Sequence, residues 1–194
     1  MILAIPVKPF GVAKQRLAGP LTDAQRRSLS IELARRTATA AVDAGATPLI
    51  LSADDGVSDW ARAEGFDVLL DEGSSLNEAA RSATVFAGDR PWIVCHADLP
   101  LLTTSDLSAA MTAMNGRRWV LSASSDGGTS LIGGSGGFAF SFGPSSFQRH
   151  IVALADREVT VVNRLGTMLD LDTPADLDAA IRHPRGSWLA SIVR

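Results

Sequence analysis

The stretch LDLDTPADL, residues 169–177, sets two aspartates two positions apart at the end of an apolar run and follows them at once with a helix start. Strand side chains alternate, so a strand reading points Asp170 and Asp172 the same way, roughly 6–7 Å apart. At an effective dielectric of about 20, two such carboxylates repel by roughly 2–3 kcal/mol. Positive charge is therefore expected between them, and a divalent cation or an arginine would each supply it. Thr173 reads as the N-cap of the helix that follows, Pro174 as its first residue and Asp176 as a first-turn acid. The pair would then stand at the carboxyl end of a strand, where open α/β sheets bind their ligands.

A third carboxylate fits the same place. In CHADLPLL, Asp98 directly follows a buried strand. If the two strands are neighbours, Asp98 shares a cation with Asp170 and Asp172, and an all-oxygen set of this kind suits Mg²⁺ and not zinc. His96, two residues earlier, is expected to be a hydrogen-bonded core residue and not a ligand. Of 18 basic residues, the two lysines, Lys8 and Lys14, both fall in PVKPFGVAKQRLAG. Lysine meets phosphate as a compact point charge, so this loop, with Lys8, Lys14 and Arg16 around Gly11, is a candidate phosphate loop. An arginine-favouring, G+C-rich genome would also leave few lysines. Neither GxxxxGK[ST] nor GxGxxG is present.

Two loops rich in small residues complete the candidates. SSDGGTS offers Asp126, Thr129 and Ser130 around two glycines, and FGPSSFQRH offers Gly143, Ser145, Ser146 and His150. Small residues let a ligand approach the backbone, hydroxyls bind phosphate or carboxylate, and Ser146 falls near a helix start. Turn chemistry and helix capping explain most such clusters taken singly.

These residues need a scaffold, and the pattern supplies one. ILAIPV, TPLILS, FDVLL, PWIVCHA and RWVLSA read as strands. Helices are expected between them: one opened by a Thr22–Gln25 capping box and closed by Gly45, one over VSDWARA, one capped by Ser75, and one starting at Thr104. SSDGGTSLIGGSGG is expected to be a loop, FAFSFG a strand, PSSFQRHIVALA a helix, EVTVV a short strand and TMLDLD a central strand. The alternation argues for α/β, one mostly parallel sheet covered on both faces. Residues 124–162 would be a small β-containing insertion walling the site within a single domain, 1–194.

Composition narrows the class. A net charge of −3 leaves no basic footprint for nucleic acid. The lone cysteine, Cys95, lies in an apolar run, which excludes disulfides and cysteine-rich zinc sites. No segment approaches the ~18 apolar residues of a membrane span, and MILAIPVKPF reads as a first strand, so a soluble cytoplasmic protein is expected.

Taken in order, PVKPFGVAKQRLAG, SLNEAARSA, HADLPLL, DGGTSLI, FGPSSFQRH and LDLDTPADL resemble the phospholactate guanylyltransferases, whose actinobacterial counterparts are phosphoenolpyruvate guanylyltransferases. The family is related to the molybdenum-cofactor guanylyltransferases. The resemblance implies a Rossmann-like three-layer nucleotidyltransferase fold. It implies transfer of GMP from GTP to the phosphate of a three-carbon acid with release of pyrophosphate, in deazaflavin coenzyme synthesis. Carried over by motif, Asp98, Asp170 and Asp172 would bind two Mg²⁺ ions, and Lys8, Lys14, Arg16 and Asn77 would contact GTP, with Lys14 and the aspartates catalytic. Thr129 or Ser130, with Gly143 and Ser146, would hold the acid. A homodimer or hand-off to a downstream transferase would fit such an enzyme. Rival readings are a sugar-1-phosphate or molybdopterin nucleotidyltransferase, and a nucleotide-binding module without catalysis. The acid itself is left open among phosphoenolpyruvate, 2-phospholactate and 3-phosphoglycerate, and the arginine-rich, actinobacterium-like composition favours the first.

Overall fold

The computed structural model describes residues 1–70, 75–115 and 118–194. Among these, seven strands form one sheet: β1 (Ile2–Pro6), β2 (Thr47–Ser52), β3 (Asp67–Leu70), β4 (Trp92–Cys95), β5 (Trp119–Ala123), β6 (Thr129–Gly134) and β7 (Val159–Val161). Their spatial order is β3-β2-β1-β4-β6-β5-β7. β6 runs antiparallel to both of its neighbours, and every other pair is parallel.

The apolar runs are continuous because both faces are covered. On one face Leu3, Ile5, Ile50, Ile93 and Leu131 pack against α1 (Asp23–Asp43), α2 (Asp55–Ala63) and α4 (Thr104–Ala113). On the other, Ile2, Ala4, Leu49, Val94 and Ile132 meet α3 (Leu76–Ala87) and the phenylalanines of residues 138–142. The caps lie where the side chains dictate. Thr22 forms a capping box with Gln25, and Ser75 accepts from the amide of Glu78. α4 starts at Thr104 behind the N-cap Thr103, whose box partner is Asp106.

Three expected elements differ. TSLIGG is not loop but β6, wedged between β4 and β5. Its glycines are required there: a Cβ on Gly133 would stand 2.7 Å from Ile93, and one on Gly134 2.6 Å from the Trp119 ring. FAFSFG joins no ladder, because side chains take its amides: Ser141 N–H donates to His150 Nε2 and Phe142 N–H to Asn77 Oδ1.

TMLDLD is not a central strand either. Its start closes α6 (Leu165–Met168), and residues 169–172 cross the sheet edge with Leu171 N–H donating to the Asp98 carbonyl at 3.0 Å. The alternation inferred for it survives for another reason. Leu171 is buried in a third core cluster with Leu17, Leu29, Leu101, Leu177 and Leu189, leaving the aspartates to the opposite side. α7 (Pro174–Arg182) then begins as expected, with Thr173 as N-cap, Pro174 as its first residue and Asp176 in the first turn, where Asp176 also completes a capping box with Thr173.

Asp106 ties this crossing to the body. It is 1% exposed, and it accepts hydrogen bonds from Thr103, from Arg164 at 2.7 Å and from Arg185 at 3.1 Å. A Cβ at Gly166 would fall 2.1 Å from its Oδ2, so α6 needs glycine there. Arg164 and Arg185 are more than a third exposed and stay solvated when Asp106 is removed, so the loss is that of its charged hydrogen bonds and of the cap. Asp106→Ala should therefore cost about 2 kcal/mol and lower the thermal midpoint by roughly 4–8 °C for a chain of this size. An unchanged unfolding midpoint would show that the two arginine pairs contribute nothing net.

Candidate active site

The chain order turns back between β1 and β4, since β2 and β3 extend one side of β1 and later strands the other. In open α/β sheets such a reversal marks the place where ligands bind, at the carboxyl ends of the parallel strands. β1 delivers Lys8 and then the loop that carries Lys14. β4 delivers His96 and Asp98. β6, antiparallel to β4, begins at the same edge with Thr129, and His96 N–H donates to the Ser130 carbonyl at 2.9 Å. The crossing residues 169–172 close the group through the Leu171–Asp98 bond.

At its centre is an ammonium. Lys14 Nζ donates to Asp98 Oδ2 at 2.9 Å and to Asp172 Oδ1 at 3.0 Å, and the Lys14 side chain is only 9% exposed. The charge expected beside the aspartates is thus a lysine, neither the arginine nor a partner of Asp170. Burial works to lower the Lys14 pKa, but the charges of Asp98 and Asp172 outweigh it and the net shift is upward. Asp98 responds in kind: burial alone would raise it, and Lys14 brings it below the usual carboxylate range. Lys14 adopts a left-handed backbone, φ 57°, uncommon for a long side chain. Among the described residues, the other non-glycine at positive φ is Ser145, which precedes α5 (Ser146–Ala153) at the far side of the site.

Buried polar groups are normally paired. Among the described residues seven buried side-chain atoms are not, and four of them belong here: Asp98 Oδ1, Asp170 Oδ1, His96 Nε2 and Ser146 Oγ. His96 therefore departs from the expected hydrogen-bonded core histidine. Its ring packs against Phe142, centroids 5.3 Å apart, and burial lowers its pKa. Asp170 bears the heaviest electrostatic load: burial pushes its carboxyl up to about 8, with the Asp98 charge acting in the same direction.

The remaining candidates separate by position. Lys8 and Arg16 are exposed, and among the described residues neither is ion-paired, so both are available to an anion. Asn77 stands at the start of α3 and spends its carbonyl oxygen on Phe142 N–H at 2.7 Å. Thr129 Oγ1 meets His150 Nδ1 at 2.9 Å, while Ser130 donates to the Ser122 carbonyl at 3.3 Å and stands at a register break of the β5–β6 ladder. Of the two hydroxyls, Thr129 lies on the side of α5. Gly143, φ 118°, forms the turn into α5 and accepts from Ser146 N–H. Asp126 performs turn chemistry, accepting from Ser124 Oγ and Gly128 N–H, and Ser124 and Asn77 acquire contacts that spacing alone could not announce.

Among the described residues no three His, Cys, Asp or Glu side chains are gathered into a metal-holding group, and Lys14 bridges two of the candidates. The donor types nevertheless fit a hard cation: the unpaired Asp98 Oδ1 and Asp170 Oδ1 are carboxylate oxygens in want of positive charge.

A family model described as "Guanylyl transferase CofC like" matches residues 1–192. The chain is 35% identical over 89% of its length to the phosphoenolpyruvate guanylyltransferase of Rubrobacter xylanophilus, covering 89% of that protein. It is 30% identical over 98% of its length to the 2-phospho-L-lactate guanylyltransferase of Methanothermobacter thermautotrophicus, covering 88% of it. A solved nucleotidyl transferase from Methanothermobacter thermautotrophicus superposes with a TM-score of 0.68 over 98% of this chain and 99% of that one, at 14% identity, and so shares the fold.

Asp170 makes a stability prediction with a definite sign. Its folded pKa lies above its ordinary value, so the fold favours the protonated form. That contribution is full below about pH 4, the ordinary range of an aspartate, and is lost as pH rises through about 8. In chelator-treated protein, Asp170→Asn should match the parent's thermal midpoint near pH 4 and exceed it by a widening margin up to pH 9. Parallel midpoint curves for the two proteins would show that Asp170 carries no such burden.

Proposed function

This chain belongs to the CofC-like guanylyl transferase family, and from that premise we propose that it moves GMP from GTP to the phosphate of phosphoenolpyruvate and releases pyrophosphate. The observation that supports this reading best is the concentration of unpaired buried polar atoms at one sheet edge, flanked by lysine on one side and by hydroxyls on the other. Such a site has opposite halves for a triphosphate and for a small acid bearing both phosphate and carboxylate.

In the reaction a phosphate oxygen of the acid attacks the α-phosphorus of GTP. A new P–O bond forms, the bond to the β-bridging oxygen breaks, and pyrophosphate leaves with the electron pair. The nucleophile needs no general base, because a phosphate monoester with a second pKa near ~6 is already largely dianionic at neutral pH. Positioning and charge neutralisation do most of such work. Lys8, Lys14 and Arg16 neutralise the triphosphate, and Thr129, Ser146 and the Gly143 turn orient the acid. Asp98, Asp170 and Asp172 would hold Mg²⁺, which when bound supplies Lewis-acid charge at the transferring phosphoryl group. The product would serve deazaflavin coenzyme synthesis in the cytoplasm.

The second reading, transfer to 2-phospholactate, has the support of the 2-phospho-L-lactate guanylyltransferase at 30% identity. The two acids share both anionic groups and differ at one carbon, a difference worth only about 1–3 kcal/mol. 3-Phosphoglycerate sets its anionic groups further apart. Equal phosphoenolpyruvate and 2-phospholactate, offered together with GTP and Mg²⁺ and read by product mass, should give mainly the enolpyruvyl product. Dominant lactyl product would reverse the choice of acid, and GTP binding without pyrophosphate release from any of the three acids would indicate a non-catalytic module.

Asp172→Asn should lower turnover by at least about a hundredfold, the scale lost with a key electrostatic group, with the thermal midpoint kept. Ser146→Ala should raise the apparent constant for the acid and spare that for GTP. Steady-state titration of each substrate separates the two effects, and a GTP-specific defect in Ser146→Ala would move the serine to the nucleotide half.

A further inference from the structure

His150 lies on α5 one turn after Ser146 and is fully buried. Its ring is boxed by aromatics: the Phe142 centroid is 5.1 Å away at 81°, and Phe138 lies at 5.7 Å. Both ring nitrogens are used. Ser141 N–H meets Nε2 at 2.9 Å, and a backbone amide can only donate, so Nε2 accepts. Burial, with Arg149 adding to it, lowers the His150 pKa to about 4, so the ring is neutral at physiological pH. A neutral ring that accepts at Nε2 carries its proton on Nδ1. That proton goes to Thr129 Oγ1, 2.9 Å away.

The consequence falls on Thr129, which is 1% exposed. Its oxygen is occupied as an acceptor, so its own hydrogen cannot turn toward the imidazole. Among the described residues that hydrogen finds no acceptor. A buried hydroxyl with an obligatory, unsatisfied donor is a binding group for an anion oxygen. The unpartnered Ser146 Oγ is presented by the same helix.

We propose that His150 is a positioning residue for the acid substrate: the Ser141 amide fixes its tautomer, and its Nδ1–H holds the Thr129 hydroxyl as a hydrogen-bond donor to the acid. This rests on the reading of Thr129 as a ligand of the phospho-acid. The residue touches no reacting atom. It converts an ambidextrous hydroxyl into a donor of fixed sense, and so favours carboxylate or phosphate over ligands that would need an acceptor there.

Two substitutions divide the two ring functions. Asn places an amide donor near the position of Nδ1 and loses the reach to Ser141. Gln reaches the Nε2 position as an acceptor and loses the donor to Thr129. His150→Gln should raise the KM for phosphoenolpyruvate about tenfold, the scale of one lost hydrogen bond, with the KM for GTP nearly unchanged. His150→Asn should stay within about threefold of the parent. Thr129→Val should match His150→Gln, and the double variant should be no worse than either single change. Equal acid defects in Asn and Gln, or multiplying defects in the double variant, would reduce His150 to a packing residue. A normal acid KM in Thr129→Val would instead remove Thr129 from the acid site and with it the reading on which the proposal stands. Long-range ¹H–¹⁵N spectra of the unmodified protein report the tautomer whatever the variants' stability. A proton on Nδ1 is expected, and one on Nε2 would overturn the proposal.

Discussion

The carboxyl edge of this sheet is organised by one cation among acids. Three aspartates converge from two separate stretches of chain, and Lys14 reaches in from a third to touch two of them. Like charges held close repel by up to a few kcal/mol at effective dielectrics near ~20, and the ammonium offsets that repulsion between Asp98 and Asp172. Arginine, abundant elsewhere in the chain, would present a broad planar fork. A lysine sets a compact charge at 2.9 and 3.0 Å from two carboxylates at once. The left-handed backbone at Lys14 belongs to the same constraint. It turns the loop after β1 so that Leu17 is buried in the third core cluster while the ammonium enters the site.

The bridge leaves Asp170 without a cation among the described residues, and the Ser124 hydroxyl only partly offsets its burial. With one oxygen buried and unpaired and its carboxyl pushed up to about 8, Asp170 is held in a place that suits its neutral form. Folding tolerates this because the backbone on either side is secured elsewhere: Leu171 in a core cluster, Thr173 and Asp176 in a capping box, and α6 through Asp106. Unpaired polar groups inside a stable fold are expected where a ligand completes them.

Much of this was legible in the residues. β1 to β5, the Thr22–Gln25 capping box, the Thr173 N-cap and the parallel α/β order follow from continuous apolar runs and N-cap chemistry, because those signals arise within each segment. β6 was illegible for a physical reason. Gly133 and Gly134 look like loop residues, yet they are small so that Ile93, Met114 and Trp119 can pack over them, a demand set by other strands. In TMLDLD the period of two is real but has another cause, since the buried Leu171 and the partly buried Leu169 alternate with the aspartates as a strand would. The acidic site was visible because spaced aspartates repel. The role of His150 was not, because it depends on a backbone amide nine residues away whose direction no spacing reveals.

The two halves of the site are secured in different ways, and this bears on how it works. Thr129 is part of the sheet, and His150 is clamped between it and the phenylalanine row, so the proposed acid half shares the rigidity of the core. Asp170 and Asp172 lie on a crossing outside the ladder, joined to β4 by the Leu171–Asp98 bond and otherwise held from behind by leucines, caps and the Asp106 arginines. Lys14 sits on a loop. On the proposed function, the half that takes the triphosphate is the half with fewer backbone ties. On the same proposal, the half that takes the small acid is the half whose donors are fixed in direction. Selectivity among acids that differ at one carbon depends on such fixed donors, because a mobile hydroxyl would serve each of them equally well.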